Sequence, residues 1–276
     1  MKQFLLLITT LLFFITVALA QEEEEEPVKN SFKGTRFVNG QSVNLVKKGE
    51  LHLQIQHRFG DISGGAYELF GLDEASMRLG FEYGFGNNFN LGIGRSSWLK
   101  TFDAFAKYRL AGQSSSFPFS VVITVGGSLP TRRDIFPDAY DNFSDKFSWD
   151  AQLHLAKTIG KTGIQLSPGY LKTGYINEIS KNLSVFTLGL GGSVSISKKV
   201  SANVEYLYPF NSDIQGENAL SLGVDIDTGG HLFQLVLSNN QRMFNQAIYT
   251  DTTGKWGEGK LFFGFNLIRE FKLKYY

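Results

Sequence analysis

Apolar and polar residues alternate along long stretches of the chain from Glu50 onward. In the first stretch Leu51, Leu53 and Ile55 fall on one face, and the residues between them are polar. An alternation that repeats every two residues is typical of a pleated β-strand with one apolar face. About twelve such stretches follow one another, and several reach the roughly 9–11 residues that a strand needs to cross a membrane. The pattern therefore predicts an all-β fold, a closed antiparallel transmembrane β-barrel of about 12 strands.

The connections between these stretches favour a membrane barrel over a soluble sandwich. Short turns alternate with longer segments, as in barrels with short periplasmic turns and long outer loops. The order fits a periplasmic N-terminus, and only residues 96–100 and 111–117 fit less well. The short turns are residues 86–88, 160–161, 197–199 and 227–229, and the long segments are residues 60–74, 130–145, 172–181, 209–217 and 238–257.

Both ends of the chain carry sequence signals for export and assembly. An apolar run follows Lys2 and ends at Ala18-Leu19-Ala20, so residues 1–20 are predicted to be a cleaved signal peptide. The barrel, predicted for residues 49–276, stops at an aromatic residue, Tyr276. This ending resembles the signal that barrel-assembly machinery recognises. We therefore expect that machinery, together with outer-membrane lipid, as partners of a Gram-negative outer-membrane protein.

Residues 21–48 differ from the rest of the chain. Residues 22–26 are all glutamate, a like-charge block that predicts an acidic periplasmic lead-in. The pair Asn39-Gly40 is typical of a two-residue hairpin turn. Its apolar arms reach only about half the length of a membrane strand. We expect residues 29–48 to form a small hairpin segment in the periplasm or at the mouth of the barrel.

Composition narrows the chemistry further. The chain of 276 residues contains no cysteine, which excludes disulfides, thiolate catalysis and cysteine-based zinc sites. It contains 30 glycines and 25 phenylalanines but six prolines, a balance that favours strands and tight turns. The net charge is +1 and no basic stripe is present, so a nucleic-acid partner is not expected.

The polar face of each strand must point into the lumen, because lipid covers the other face. Charges of both signs occur there, which predicts a network of paired charges that fills much of the lumen. Inward glycines, such as Gly92 and Gly223, either permit tight curvature or leave room for a narrow channel, and the sequence leaves both open. The lumen-lining candidates are Arg58, Arg78, Glu82, Asp103, Lys107, Arg109, Asp150, His154, Glu205 and Asp225, and Lys260 joins them by the same alternation.

Four stretches resemble an uncharacterised family of Gram-negative outer-membrane β-barrel proteins. They are GELHLQIQHRFGDISGGAYELFGLD at residues 49–73, GIGRSS at residues 92–97, QLSP at residues 165–168 and GVDIDTGGHLFQLVLSN at residues 223–239. The similarity covers nearly the whole mature chain. It implies a barrel and an outer-membrane location, and it assigns no activity to any residue.

The histidines give no clear catalytic or metal-binding motif. His52 and His154 fall on the predicted lumen face, where a haem or metal site is conceivable, but a hydrogen-bonded wall residue is favoured. His57 faces outward near Ser63, as a lipid hydrolase would require, yet nothing in the sequence orients it. We therefore predict no catalytic residue, no cofactor and no metal ligand.

These observations favour a narrow channel or a passive binding scaffold, whose lumen charges set the selectivity for a small solute. One alternative is an outer-membrane enzyme or a haem-linked protein. Another is a structural or adhesive barrel that acts through its outer loops, with the charged and aromatic loop 130–145 as the recognition surface.

Overall fold

The computed structural model describes residue 28 and residues 32–132, 143–174, 182–210, 213–214 and 216–273. The predicted signal peptide, the acidic block and the C-terminal Tyr276 lie outside the described residues, as does most of loop 130–145. Among the described residues, no helix is long and apolar enough to cross a membrane.

Twelve antiparallel strands form the wall, and β1 pairs with β12 to close it into a barrel. Buried and exposed residues alternate along the strands, because one face of the wall points into the lumen and the other points outward. The predicted fold class is confirmed. The strands are β1 (Glu50–Asp61), β2 (Ala75–Gly84), β3 (Phe89–Ser96), β4 (Phe102–Ala111), β5 (Ser120–Leu129), β6 (Ser148–Ile159), β7 (Thr162–Lys172), β8 (Ser184–Ser195), β9 (Val200–Phe210), β10 (Ala219–Asp227), β11 (His231–Ser238) and β12 (Phe262–Lys272).

The two ends of the barrel differ in their connections. At one end, which we call the turn end, β6 and β7 are separated by two residues, and the first residue of β1, Glu50, pairs with the last residue of β12, Lys272. At the other, the loop end, the connections include a 3₁₀ segment, Ile62–Gly71, and the long segment between β11 and β12. The predicted alternation of short and long connections therefore matches the two ends of the wall.

The residues that precede β1 lie inside the barrel. Residues 32–46, which we call the plug, enter from the turn end, and Val38 at the plug tip and Val43 are completely buried. The backbone N–H of Phe37 donates to the carbonyl of Gly40 over 2.9 Å, which closes a small hairpin. Its tip is Val38-Asn39, one residue earlier than the predicted turn. The sequence predicts this segment at the mouth of the barrel or in the periplasm, because its arms are too short to span a membrane. That location is wrong, since the segment packs against lumen-facing wall residues.

A second segment folds into the lumen from the loop end. Residues 239–254, which we call the lumen loop, form the first part of the connection from β11 to β12 and contain the six-residue helix α1 (Asn245–Thr250). Ile248 and Tyr249 are buried and pack on Leu171 and Leu207 of the wall. The sequence suggested an outer loop over residues 238–257, and that expectation was wrong for this part. The loop folds inward because it can bury apolar side chains there.

Candidate functional site in the lumen

Charged wall residues hold the plug through its backbone. Glu205 on β9 accepts hydrogen bonds from the backbone N–H groups of Asn39 (2.9 Å) and Gly40 (2.8 Å). On the opposite side, Lys107 on β4 donates to the carbonyl oxygens of Thr35 (2.9 Å) and Asn44 (3.1 Å). The wall thus offers a carboxylate to backbone N–H groups of the plug and an ammonium group to its backbone carbonyl oxygens. Such charge-assisted bonds are stronger than neutral ones.

The plug tip is also held by side chains. Asn39 donates from Nδ2 to Ser221 Oγ over 2.9 Å, and its Oδ1 accepts from the Arg58 guanidinium over 2.9 Å. Arg58 is completely buried, and it also donates to Asn266 Oδ1 over 2.8 Å. Asn266 donates in turn to the carbonyl oxygen of Val38 over 2.9 Å. Three strands, β1, β10 and β12, therefore meet at one plug residue and its neighbour.

Among the described residues, two Arg or Lys side chains of the wall form direct ion pairs with lumen carboxylates. Arg78 Nε lies 2.8 Å from Asp103 Oδ2, and Lys107 Nζ lies 3.7 Å from Glu82 Oε1. Glu82 also accepts from the Thr35 hydroxyl of the plug over 2.7 Å. The expected network of paired charges is therefore present only in part, since several lumen charges use amide, hydroxyl or backbone groups instead.

Two more lumen carboxylates accept hydrogen bonds from neutral amide groups and, within the described ranges, do not pair directly with a cation. Asp150 accepts from Asn245 Nδ2 over 3.0 Å and from the Gln246 amide, both in the lumen loop. Asp225 accepts from the Gln234 amide and from the Ser201 hydroxyl over 3.3 Å. Buried carboxylates need such donors, because an unsatisfied charge in the lumen would be costly.

The remaining candidates divide between wall and surface. His154 is buried, and its ring nitrogens share hydrogen bonds with Ser167 Oγ (2.9 Å) and Thr124 Oγ1 (3.0 Å), as a wall residue would. Arg109 is half-buried near the turn end. Lys260 is exposed at the loop end, 3.1 Å from Glu258, so its assignment to the lumen was wrong. The alternation fails there because β12 begins only at residue 262.

Sequence reasoning missed Arg36, a plug residue that is buried in the lumen. Its guanidinium donates to the Asn39 carbonyl over 2.8 Å and lies 5.4 Å from the ring centroid of Phe105. Burial lowers the pKa of Arg36 to about 10. The available signal was Phe105 itself, an aromatic residue in the polar, inward register of β4, where only lumen contents could cover it.

The inward glycines make room for the lumen contents. A Cβ atom built on Gly191 would lie 2.6 Å from the Phe37 ring, and one on Gly223 would lie 3.0 Å from Val38. A Cβ on Gly92 would overlap the Phe105 ring. The glycines therefore provide space for the plug and for large wall side chains. This role differs from the two that the sequence left open, which were tight curvature of the wall and a narrow channel.

Between plug and lumen loop lies a cavity of about 10 Å³, lined among others by His154, Gln165, Glu205 and Tyr249. A volume of about this size holds roughly one water molecule. Among the described residues, the plug and the lumen loop therefore leave little space where they face each other.

The histidine considered for a hydrolase is packed on aromatic rings. His57 stacks on Phe265 with ring centroids 5.1 Å apart, and its Nδ1 has no hydrogen-bond partner. Ser63 instead donates its hydroxyl to Asp61 over 2.8 Å. The structure does not join these groups into a nucleophile and base.

Three solved structures resemble the fold at low sequence identity. The COG4313 outer membrane channel from Pseudomonas putida F1 is 14% identical, with a TM-score of 0.48 over 83% of this chain and 97% of that chain. The Acinetobacter baumannii outer membrane protein Omp33 is 7% identical, with a TM-score of 0.46 over 81% and 99%. LpxR from Salmonella typhimurium is 11% identical, with a TM-score of 0.37 over 80% and 99%. Curated proteins gave no sequence match.

The family comparison covers plug and wall together. A family model described as "Membrane bound beta barrel domain (DUF5777)" matches residues 32–271. This range begins with the first plug residue and includes nearly all of β12, so the family domain contains both. The resemblance expected from the sequence is confirmed, and the chain belongs to the membrane bound beta barrel domain family.

Proposed function

We propose that the protein is an outer-membrane channel for a small solute, closed in this conformation by the plug. The observation that carries the proposal is the polar contact between plug tip and wall, in which Glu205 and Lys107 bind plug backbone. If the plug moved out, these side chains would face water, which solvates charges well. A wall built only to support a permanent core would have no need of charges at these positions.

Barrel size supports the same proposal. Eight strands leave an interior that wall side chains alone fill, whereas barrels of 16–18 strands enclose an aqueous channel. A wall of twelve strands falls between these sizes. Withdrawal of the plug would therefore leave a passage narrower than that of a general porin, lined by charges that select the solute.

The orientation is part of the proposal. Short turns face the periplasm in bacterial barrels, and the plug enters from the turn end together with the first residues of β1. The plug would then be released towards the periplasm, where the acidic residues 22–26 precede it in the chain. We also propose that barrel-assembly machinery inserts the chain and that lipid covers the outward face.

Cysteine cross-linking tests the channel directly, because the chain has no cysteine of its own. Asn39 Nδ2 and Ser221 Oγ are 2.9 Å apart, so Asn39→Cys combined with Ser221→Cys puts one thiol on the plug tip and one on the wall residue that it contacts. We expect conductance steps in planar bilayers after reduction and none after oxidation. Each single variant serves as the control, because it cannot form the cross-link.

A chain that lacks residues 32–46 provides the second measurement. It should conduct permanently if the plug closes the lumen. Its folding is checked by heat modifiability, since closed barrels resist SDS until they are boiled. A folded deletion variant without conductance would contradict the channel and favour the passive binding scaffold. We propose a non-enzymatic role, because the outward His57 has no polar partner for Nδ1.

A further inference from the structure

Three side chains that could bind a metal ion meet at the turn end of the lumen, away from the plug tip. They are Glu50 and His52 on β1 and Glu270 on β12. His52 and Glu270 are direct cross-strand partners, and Glu50 lies two residues from His52 on the same face of β1. One ligand atom from each residue lies within 4.8 Å of the others. The cluster thus spans the pair of strands that closes the barrel.

His52 is the observation that points to a ligand. Its side chain is only 9% exposed, and neither ring nitrogen has a hydrogen-bond partner. The closest charged atom, Glu270 Oε1, is 3.8 Å from Nε2, which is too long for a hydrogen bond. A buried imidazole normally has polar partners. By contrast, both ring nitrogens of the buried His154 are engaged.

We propose that Glu50, His52 and Glu270 bind one divalent transition-metal ion, such as Zn²⁺, across the β1–β12 pair. Imidazole nitrogen and carboxylate oxygen are common zinc ligands, whereas Ca²⁺ and Mg²⁺ prefer oxygen alone. Ligand atoms on a tetrahedral zinc ion lie about 3.4 Å apart at bond lengths of about 2.0–2.2 Å. Small side-chain movements would bring the three atoms to these distances.

Access and the fourth ligand follow from the same geometry. Glu270 is exposed, so an ion can enter from the solvent at the turn end. Three protein ligands leave one position for water, as in other open zinc sites. Glu82, the partner of His52 on β2, is not counted as a ligand, because Thr35, Gln54 and Asn90 already donate to its oxygens.

A bound ion would join the first strand of the barrel to the last. Binding to the folded state alone stabilises that state in proportion to the logarithm of the ion concentration above Kd. We therefore expect Zn²⁺ to raise the temperature at which the folded band is lost in a heat-modifiability gel. This effect does not depend on plug movement, so it can hold whether or not the barrel conducts.

The test uses the purified full mature chain in detergent, with Zn²⁺ measured by calorimetry or by competition with a chromophoric chelator. We expect one ion per chain. His52→Ala and Glu270→Gln should each weaken binding at least about 10-fold, since even loss of a supporting partner costs about 10–100-fold in affinity. His231→Ala is the matched control, because His231 also lies at the turn end but outside the cluster.

Each result of these measurements either supports or overturns the proposed metal site. The proposal is supported if both cluster variants lose the ion and the thermal shift while His231→Ala keeps them. It is overturned if the natural chain binds no Zn²⁺, or if all four proteins bind it equally. Should His52→Ala fail to fold, Glu270→Gln decides alone, because that side chain is exposed.

Discussion

Replacing Glu205 by alanine should release the plug tip while leaving the wall intact. In Glu205→Ala, the backbone N–H groups of Asn39 and Gly40 lose their acceptor and would be unsatisfied as long as the plug tip stays docked. No wall hydrogen bond of the β9–β10 ladder is removed, because that ladder runs through the backbone. The perturbation therefore acts on the contact between plug and wall.

The magnitude follows from the two bonds lost. A hydrogen bond to a charged group contributes about 1.5–3 kcal/mol, so two such bonds amount to roughly 3–6 kcal/mol. Each 1.4 kcal/mol or so corresponds to a tenfold change in an equilibrium constant. The equilibrium between docked and released plug tip should therefore shift by about 100- to 10,000-fold towards release. Glu205→Gln keeps one acceptor oxygen and should show a smaller effect.

Hydrogen exchange measures this equilibrium at the affected amides. Protection of the Asn39 and Gly40 amides should fall by the same factor, because exchange there requires local opening. Asp150→Ala is the matched control: it removes a buried acid that holds the lumen loop through Asn245. The control should loosen the lumen loop and leave the plug protected. Unchanged protection in Glu205→Ala, or equal loosening of plug and loop in both variants, would refute the reasoning.

Two further changes test the packing and the lumen loop. Gly92→Ala places a Cβ against the Phe105 ring and should destabilise the barrel by about 1–3 kcal/mol in urea. Gly86→Ala, with open space around it, should not. Burial raises the pKa of Asp251 above its usual value, only partly offset by Arg242. The contribution of Asp251 to the stability of the lumen loop should therefore be fully present below about pH 4, and it should be lost as the pH rises through the raised pKa. Proteolysis of the lumen loop should follow this dependence, and in Asp251→Asn it should not.

The wall could be predicted from the sequence because its signal is local and repetitive. Each pair of neighbouring residues along β1, such as Gln54 and Ile55, already shows which side chain faces the lumen and which faces outward. The structure buries Gln54 and leaves Ile55 half-exposed, and it also buries Glu82, Asp103 and Glu205. The rule needs no knowledge of distant contacts, so twelve repetitions of it suffice to predict a barrel.

The lumen contents could not be predicted in this way. The plug residues Phe37 and Val43 lie in a short segment without strand or helix periodicity, and their partners Val122 and Ala156 are more than 70 residues away in the chain. The lumen loop has the same difficulty, since Ile248 packs on wall residues from β7 to β10. What the sequence does contain is a set of apolar residues in the inward register, which a water-filled lumen would not explain: Phe105, Val122, Leu171, Val185 and Leu207.

The plug and the lumen loop differ in how they contact these inward apolar residues. Around the lumen loop they form an apolar lining, so withdrawal of Ile248 and Tyr249 would expose Leu171 and Leu207 to water. The plug also has apolar contacts, through Phe37 and Val43, but polar contacts with Glu205 and its neighbours hold its tip. Exposing apolar surface costs about 25 cal/mol per Å², while exposed carboxylate and amide groups regain hydrogen bonds with water. We therefore expect the plug tip to leave and return at lower cost than the lumen loop, and the proposed channel should open there.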